Sequence, residues 1–279
     1  MPQLNPSATS LVTLRLAASK PSLRLLFVHG FLGSSDDWQS IVQYLPTDWD
    51  LYALNLPGHV GNSDPLPSNF SEFTYFIDEQ AQALAKDNVP VAFVGYSLGA
   101  RLLMHLALKL ETHTPNTHLN TMIVRGFVLE GGNFGLQQQS DISTRWENDR
   151  RWIKRFNEQS LCEVLNDWYQ QPVFSSLNAQ QRKQLVAQRS INDGKALAQV
   201  MSATSLAKQA YLLENLQHSQ QQVHYIVGEY DQKFSLLYER NQVSFEVIEK
   251  AGHNTHKEQP EKYAKKLTQL LSIVSTDSL

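Results

Sequence analysis

The chain has 279 residues, 42% hydrophobic and 18% charged, which suits a globular protein with a large buried core. A formal net charge of −3 argues against a nucleic-acid partner, and the single cysteine, Cys162, leaves no internal disulfide and no cysteine-rich metal site. The opening residues lack a basic start followed by a long apolar run, and Leu25-Leu26-Phe27-Val28 is far too short to span a bilayer, so a cytoplasmic protein without membrane insertion is expected.

In chain order, the first clear element is that same run, Leu25-Leu26-Phe27-Val28, ending at His29-Gly30. An uninterrupted apolar run of this kind suits a strand buried on both faces of a parallel sheet. Trp38, Ile41, Val42 and Leu45 then fall at helical spacing. Phe73, Phe76, Ile77, Ala81 and Leu84 make a second stripe, with Ser71 as its expected N-cap. Buried strands are expected again at Val91-Ala92-Phe93-Val94 and Gly126-Phe127-Val128-Leu129, with a helix over residues 100–110 between them. Strand and helix alternate, so the expected class is α/β with a mostly parallel sheet.

Between residues 133 and 217 Gln, Arg and Asn dominate and β-branched runs disappear. Leu161, Val164, Leu165, Trp168 and Tyr169 mark an amphipathic helix closed by Pro172, and further helices are expected after Asn178 and over residues 196–207. Buried strands resume at Val223–Gly228 and over residues 243–248. A helical block between strands reads as a lid (133–217) inserted into a sheet domain made of residues 1–132 and 218–279.

The sharpest motif is Gly95-Tyr96-Ser97-Leu98-Gly99, a G-x-S-x-G placed directly after a strand and before a helix. That context is what a nucleophile elbow needs. The tight turn forces the serine into a strained conformation above the strand end, small flanking residues avoid clashes, and the helix N-terminus beneath favours negative charge. His29-Gly30-Phe31-Leu32-Gly33 ends the first strand, where such architectures supply one oxyanion N–H, so the backbone N–H groups of Phe31 and Leu98 are the expected pair. His29 itself is expected to brace this loop rather than act as a base.

An acid and then a histidine must follow the serine. Asp231 lies just past the strand Val223–Gly228 and His253 just past the next strand, both where sheets of this class place their sites. His256 and His59 are the competitors for the base, and Glu130 is the alternative acid. No His-x-x-x-His or paired-cysteine spacing is present, and a triad needs no Lewis acid, so neither metal nor cofactor is expected.

Together these segments resemble the α/β-hydrolase superfamily along the whole chain and, within it, the 2-succinyl-6-hydroxy-2,4-cyclohexadiene-1-carboxylate synthases of menaquinone biosynthesis. The closer match is carried by Leu56-Pro57-Gly58-His59, Glu130-Gly131-Gly132, Gln188-Arg189-Ser190, Gly228-Glu229-Tyr230-Asp231-Gln232-Lys233-Phe234 and Gly252-His253-Asn254. Above all it is carried by Asp167-Trp168-Tyr169-Gln170-Gln171-Pro172-Val173-Phe174 in the lid. Two positions depart from the pattern: Ala100 stands where a second glycine is frequent, and Val60 interrupts the Pro-Gly-His loop.

The resemblance implies a lyase that eliminates pyruvate from 5-enolpyruvyl-6-hydroxy-2-succinyl-cyclohex-3-ene-1-carboxylate, with the serine removing a proton from carbon. Its partner would be this small substrate with three carboxylates. Arg145 and Arg189 match anion-binding positions of the family, and Arg101 lies one helical turn after Ser97. A guanidinium can bond both oxygens of a carboxylate. Tyr96 and Trp168 are further expected substrate contacts, with core packing as the other reading, and Arg150, Arg151, Arg155 and Arg182 are read as surface charge. Two other functions fit the same residues: a carboxylesterase or carbon–carbon hydrolase working through an acyl-enzyme, and a non-catalytic ligand-binding protein.

Overall fold

The computed structural model describes residues 10–111 and 122–272. Seven strands form one sheet in the order β1-β3-β2-β4-β5-β6-β7, from β1 (Leu11–Arg15), β2 (Leu23–Val28), β3 (Trp49–Leu54), β4 (Val91–Tyr96), β5 (Val124–Glu130), β6 (Val223–Gly228) and β7 (Glu246–Ile248). Every neighbouring pair is parallel except β1 with β3. Strands β2, β3 and β4 are buried along their whole length, as their apolar runs require. Arg24 in β2 is accommodated because its guanidinium donates to the carbonyls of Leu84 and Lys86 at 3.1 and 2.6 Å.

The helices are α1 (Gln39–Val42), α2 (Phe70–Gln82), α3 (Leu98–Glu111), α4 (Gln139–Glu158), α5 (Leu161–Trp168), α6 (Ala179–Arg189), α7 (Gly194–Ala203), α8 (Leu213–Gln217), α9 (Gln232–Arg240), α10 (Thr255–Glu258) and α11 (Pro260–Ser272). On one face of the sheet, α2, α3 and α8 bury Phe73, Ile77, Leu103, Leu106 and Leu213 against Leu26, Phe93 and Phe127. On the other, α1 and α11 bury Ile41, Tyr263 and Leu267 against Leu25, Phe27 and Val94. Each such side chain contributes roughly 1.5–3 kcal/mol of burial.

Several elements differ from the sequence reading. The N-cap of α2 is Asn69, whose side chain accepts from the Glu72 N–H at 3.0 Å; Ser71 lies inside the first turn. The helix expected over 196–207 ends at Ala203, where Thr204 turns its hydroxyl back onto the Val200 carbonyl. The last strand is confined to Glu246–Ile248, the three residues that pair with Ile226–Gly228 of β6.

Between β5 and β6 the chain is helical, as expected. Helices α4 to α7 build a small apolar core of their own around Phe156, Val164, Leu165, Leu185 and Leu197. Residues 212–216 do not belong to it: Leu212, Leu213 and Leu216 pack with the sheet. No helix among the described residues is long and apolar enough to cross a membrane.

Candidate active site

Strand β4 ends at Tyr96 and α3 begins at Leu98, so Ser97 alone makes the turn, at φ 50. A left-handed conformation is costly for a residue with a Cβ. Local bonds hold it there: the Ser97 N–H donates to the Glu130 carbonyl at 2.8 Å, and the Ser97 carbonyl accepts from the Arg101 N–H at 3.1 Å. Gly99 lets α3 close against the end of β2, since a Cβ there would strike the Val28 and His29 carbonyls. This contact brings the loop that carries Phe31 beside the elbow. Neither the Phe31 nor the Leu98 N–H is engaged in a hydrogen bond among the described residues. His29 braces the loop, its ring accepting from the Leu56 N–H at 3.0 Å and meeting the Gly30 carbonyl at 2.8 Å; burial pushes its pKa down to about 4.

The structure brings His253 and Asp231 together. His253 Nδ1 donates to Asp231 Oδ2 at 2.6 Å, with both side chains buried. The loops that carry them are tied by the Tyr230 N–H on the Ala251 carbonyl (2.8 Å) and the Glu229 N–H on the Ile248 carbonyl (3.0 Å). Asp231 also caps α9 through the Phe234 N–H. Phe234 stacks on the imidazole at 5.0 Å, and Tyr96, the residue before the serine, lies 5.1 Å from it. Gly131 has φ 58, and a Cβ there would meet His253 Cε1 at 2.7 Å, so the ring rests directly over the end of β5. Glu130, the alternative acid, bonds His256 instead, at 2.8 and 3.0 Å.

The expected anion-binding side chains occupy three different settings. Arg101 is braced by Gln209 Oε1 (2.5 Å) and the Thr204 carbonyl (2.7 Å), with its guanidinium 5.0 Å over the Phe70 ring. Burial, together with the neighbouring Arg145, pushes its pKa down to about 9. Arg145 projects from α4 and donates Nε to both oxygens of Asp149, at 2.8 and 2.9 Å. Arg189 is buried and committed to Asp37 at 2.5 Å, and the same Asp37 oxygen accepts from Lys257 at 2.8 Å. Burial works against charge on Asp37, but Arg189 and Lys257 outweigh it and hold the carboxyl well below its usual range. Trp168 sits in an aromatic cluster with Trp152 and Phe156 and touches Phe31 at 5.4 Å, so it joins the lid to the loop after β2.

Comparison with known proteins agrees with this architecture. The profile of the alpha/beta hydrolase family matches residues 25–266. A putative 2-succinyl-6-hydroxy-2,4-cyclohexadiene-1-carboxylate synthase of Haemophilus influenzae is 38% identical, over 88% of this chain and 96% of that protein. The chain belongs to the α/β-hydrolase family, in the branch of these synthases. A second synthase of the branch, from Klebsiella pneumoniae, is 38% identical over 89% of this chain and 93% of its own length. A solved structure of MenH from S. aureus shares the fold, with a TM-score of 0.82 at 21% identity over 95% of this chain and 98% of that one.

Three neighbours of the site in this synthase-family chain were not singled out from sequence. Asp149 pairs with Arg145 and accepts from Ser205 Oγ at 2.7 Å; its i+4 spacing from Arg145 was the available signal. Lys233 lies at the start of α9, beside Asp231, with Nζ 5.4 Å from the centre of the Phe234 ring. Burial and Arg145 lower its pKa, and a cation at a helix N-terminus is otherwise unfavourable. Asp37 carried no signal, because Arg189 is 152 residues away.

Proposed function

We propose that this chain eliminates pyruvate from 5-enolpyruvyl-6-hydroxy-2-succinyl-cyclohex-3-ene-1-carboxylate, as a carbon–oxygen lyase of menaquinone biosynthesis, with Ser97, His253 and Asp231 as its proton-transfer machinery. The observation that carries this reading is the buried His253–Asp231 bond, whose imidazole lies 5.1 Å from the ring of Tyr96, the residue before the left-handed Ser97, under a lid and shoulder whose cations are Arg101 and Arg145. An apolar acyl group has no use for such cations, whereas a substrate with several carboxylates does.

His253 accepts the Ser97 proton, and Asp231 fixes the imidazole tautomer and supports its positive charge. Ser97 then takes a proton from the substrate ring. Electrons shift through the ring and expel the enolpyruvyl group, which takes up a proton to leave as pyruvate. The Phe31 and Leu98 N–H groups stabilise charge developing on the succinyl carbonyl. Arg101 and Arg145 bind carboxylates, and Tyr96 and Trp168 wall the pocket. Arg189 serves through the Asp37 pair that seats the lid, and reaches substrate only by leaving it. A cytoplasmic location fits the single exposed free cysteine and a small anionic substrate.

The test is pyruvate release from this substrate measured beside hydrolysis of a simple aryl ester. Rapid-quench intact-mass spectra during turnover are expected to show only unmodified protein, and deuterium at the abstracted ring position to slow the chemical step. An adduct on Ser97 that forms and decays at the turnover rate would restore the acyl-enzyme reading.

A further inference from the structure

Beneath the His253–Asp231 pair lies a second carboxylate–imidazole pair that the mechanism does not use. Glu130 ends β5 and His256 opens α10, and both are fully buried. His256 Nδ1 donates to the two Glu130 oxygens at 3.0 and 2.8 Å, and the His256 backbone N–H donates to Glu130 at 3.3 Å. Trp38 stacks on the imidazole at 4.4 Å, so the ring cannot swing away.

We propose that Glu130 and His256 are a positioning pair that holds His253 in register with Ser97. The inference rests on the reading of Ser97 and His253 as the reacting pair. Glu130 is bonded at both ends of that relationship. Its carbonyl accepts the Ser97 N–H, and its carboxylate accepts two N–H groups of a residue three places after His253. The next residue, Gly131, is the floor on which the His253 ring rests. Tyr96 completes the coupling, since its ring meets His253 at 5.1 Å and His256 at 4.9 Å.

A carboxylate buried this deeply is costly unless it is fully bonded, which makes it a poor choice for filling space. What it supplies is direction. Apolar packing alone would let the short loop over residues 251–254 slide, whereas charge-assisted hydrogen bonds fix its distance and angle to the elbow. A misplacement of about 1 Å in such a pair costs on the order of a hundredfold in rate.

Proton NMR at low temperature tests this together with kinetics. Two far-downfield imidazole N–H resonances are expected, one removed by His253→Ala and the other by His256→Gln. In Glu130→Gln the His253 resonance should move or broaden, and kcat should fall about ten- to a hundredfold with KM changed less than about threefold. If Glu130→Gln does not yield folded protein, Glu130→Asp and His256→Gln are judged by the same two readouts. A His253 resonance that stays at its wild-type position, or an unchanged kcat, overturns the proposal whatever happens to the melting temperature. The NMR readout needs no substrate, so failure of the lyase reading would leave it standing and is recognised separately by the absence of pyruvate.

Discussion

The sheet and the lid are held by different forces. In the sheet, Phe93 and Phe127 stack at 4.8 Å with no exposed surface, and helices close both faces with aliphatic side chains. The lid has a smaller apolar core, which touches the sheet domain at Phe31 and Leu32, and much of the remaining seam is made of polar bonds. Arg189 bonds Asp37, Asn192 accepts the Val60 N–H at 2.9 Å, and Arg101 bonds the Thr204 carbonyl and Gln209. Apolar burial has no alternative partner, whereas each polar bond has one in water or in an anionic ligand. The sheet is therefore built to stay, and the lid is built to exchange contacts.

The comparison sharpens most at the proposed triad, whose residues follow the ends of sheet strands. Ser97→Ala and His253→Ala are each expected to lower kcat by roughly two to four orders of magnitude while the thermal midpoint stays close to wild type. Asp231→Asn should also be severe, as it corrupts the imidazole tautomer. A dead Glu130→Gln beside a near-normal Asp231→Asn would transfer the acid role. Within the sheet, Phe127→Ala should destabilise by about 3–5 kcal/mol in denaturant titration, because the cavity has nothing to fill it.

On the lid side, Arg145→Ala should lower kcat/KM by roughly ten- to a hundredfold, the worth of one charge-assisted bond, and should also lower stability because buried Asp149 keeps only the Ser205 hydroxyl. Arg189→Ala should instead show mainly as weakened lid docking, read by proteolysis or hydrogen exchange of α6, since it leaves buried Asp37 with Lys257 as its remaining cation. Wild-type behaviour of both variants at low salt would erase the distinction.

The sheet side of the comparison also responds to pH. His29 is pushed by burial from 6.5 to about 4, so below pH 6.5 the unfolded chain takes up a proton that the folded chain refuses. Stability is complete above that pH and falls as pH is lowered toward 4, by about 1.4 kcal/mol per unit at most. His105, also lowered to about 4, has the same sign. His29→Asn should flatten part of the slope.

The elements most readable in the sequence were those on which one force acts alone. Strands β2, β4 and β5 were legible because burial on both faces leaves an apolar run in each. Strands β1 and β3 were missed: β1 is a short antiparallel edge strand, and β3 carries Asp50, whose carboxylate bonds the Ala17 N–H at 2.9 Å and sits near Arg24. The placement of Ser97, Asp231 and His253 just past β4, β6 and β7 was legible because apolar strand runs end sharply at those loops. The long helix α4 was not, since its polar surface and mixed aromatics give a weak apolar stripe. Pairings such as Asp37 with Arg189, or Glu130 with His256, depend on the folded chain bringing distant segments together, and no local pattern announces them.

The φ of 50 at Ser97 has a consequence for how this protein tolerates change. A side chain in that conformation costs about 1–2 kcal/mol that glycine would not. Ser97→Gly is thus among the few substitutions at the site expected to raise the melting temperature while abolishing turnover, even after glycine's greater freedom in the unfolded chain is subtracted. Screening this chain for robustness alone would select against serine at position 97, so the elbow persists only under selection for rate.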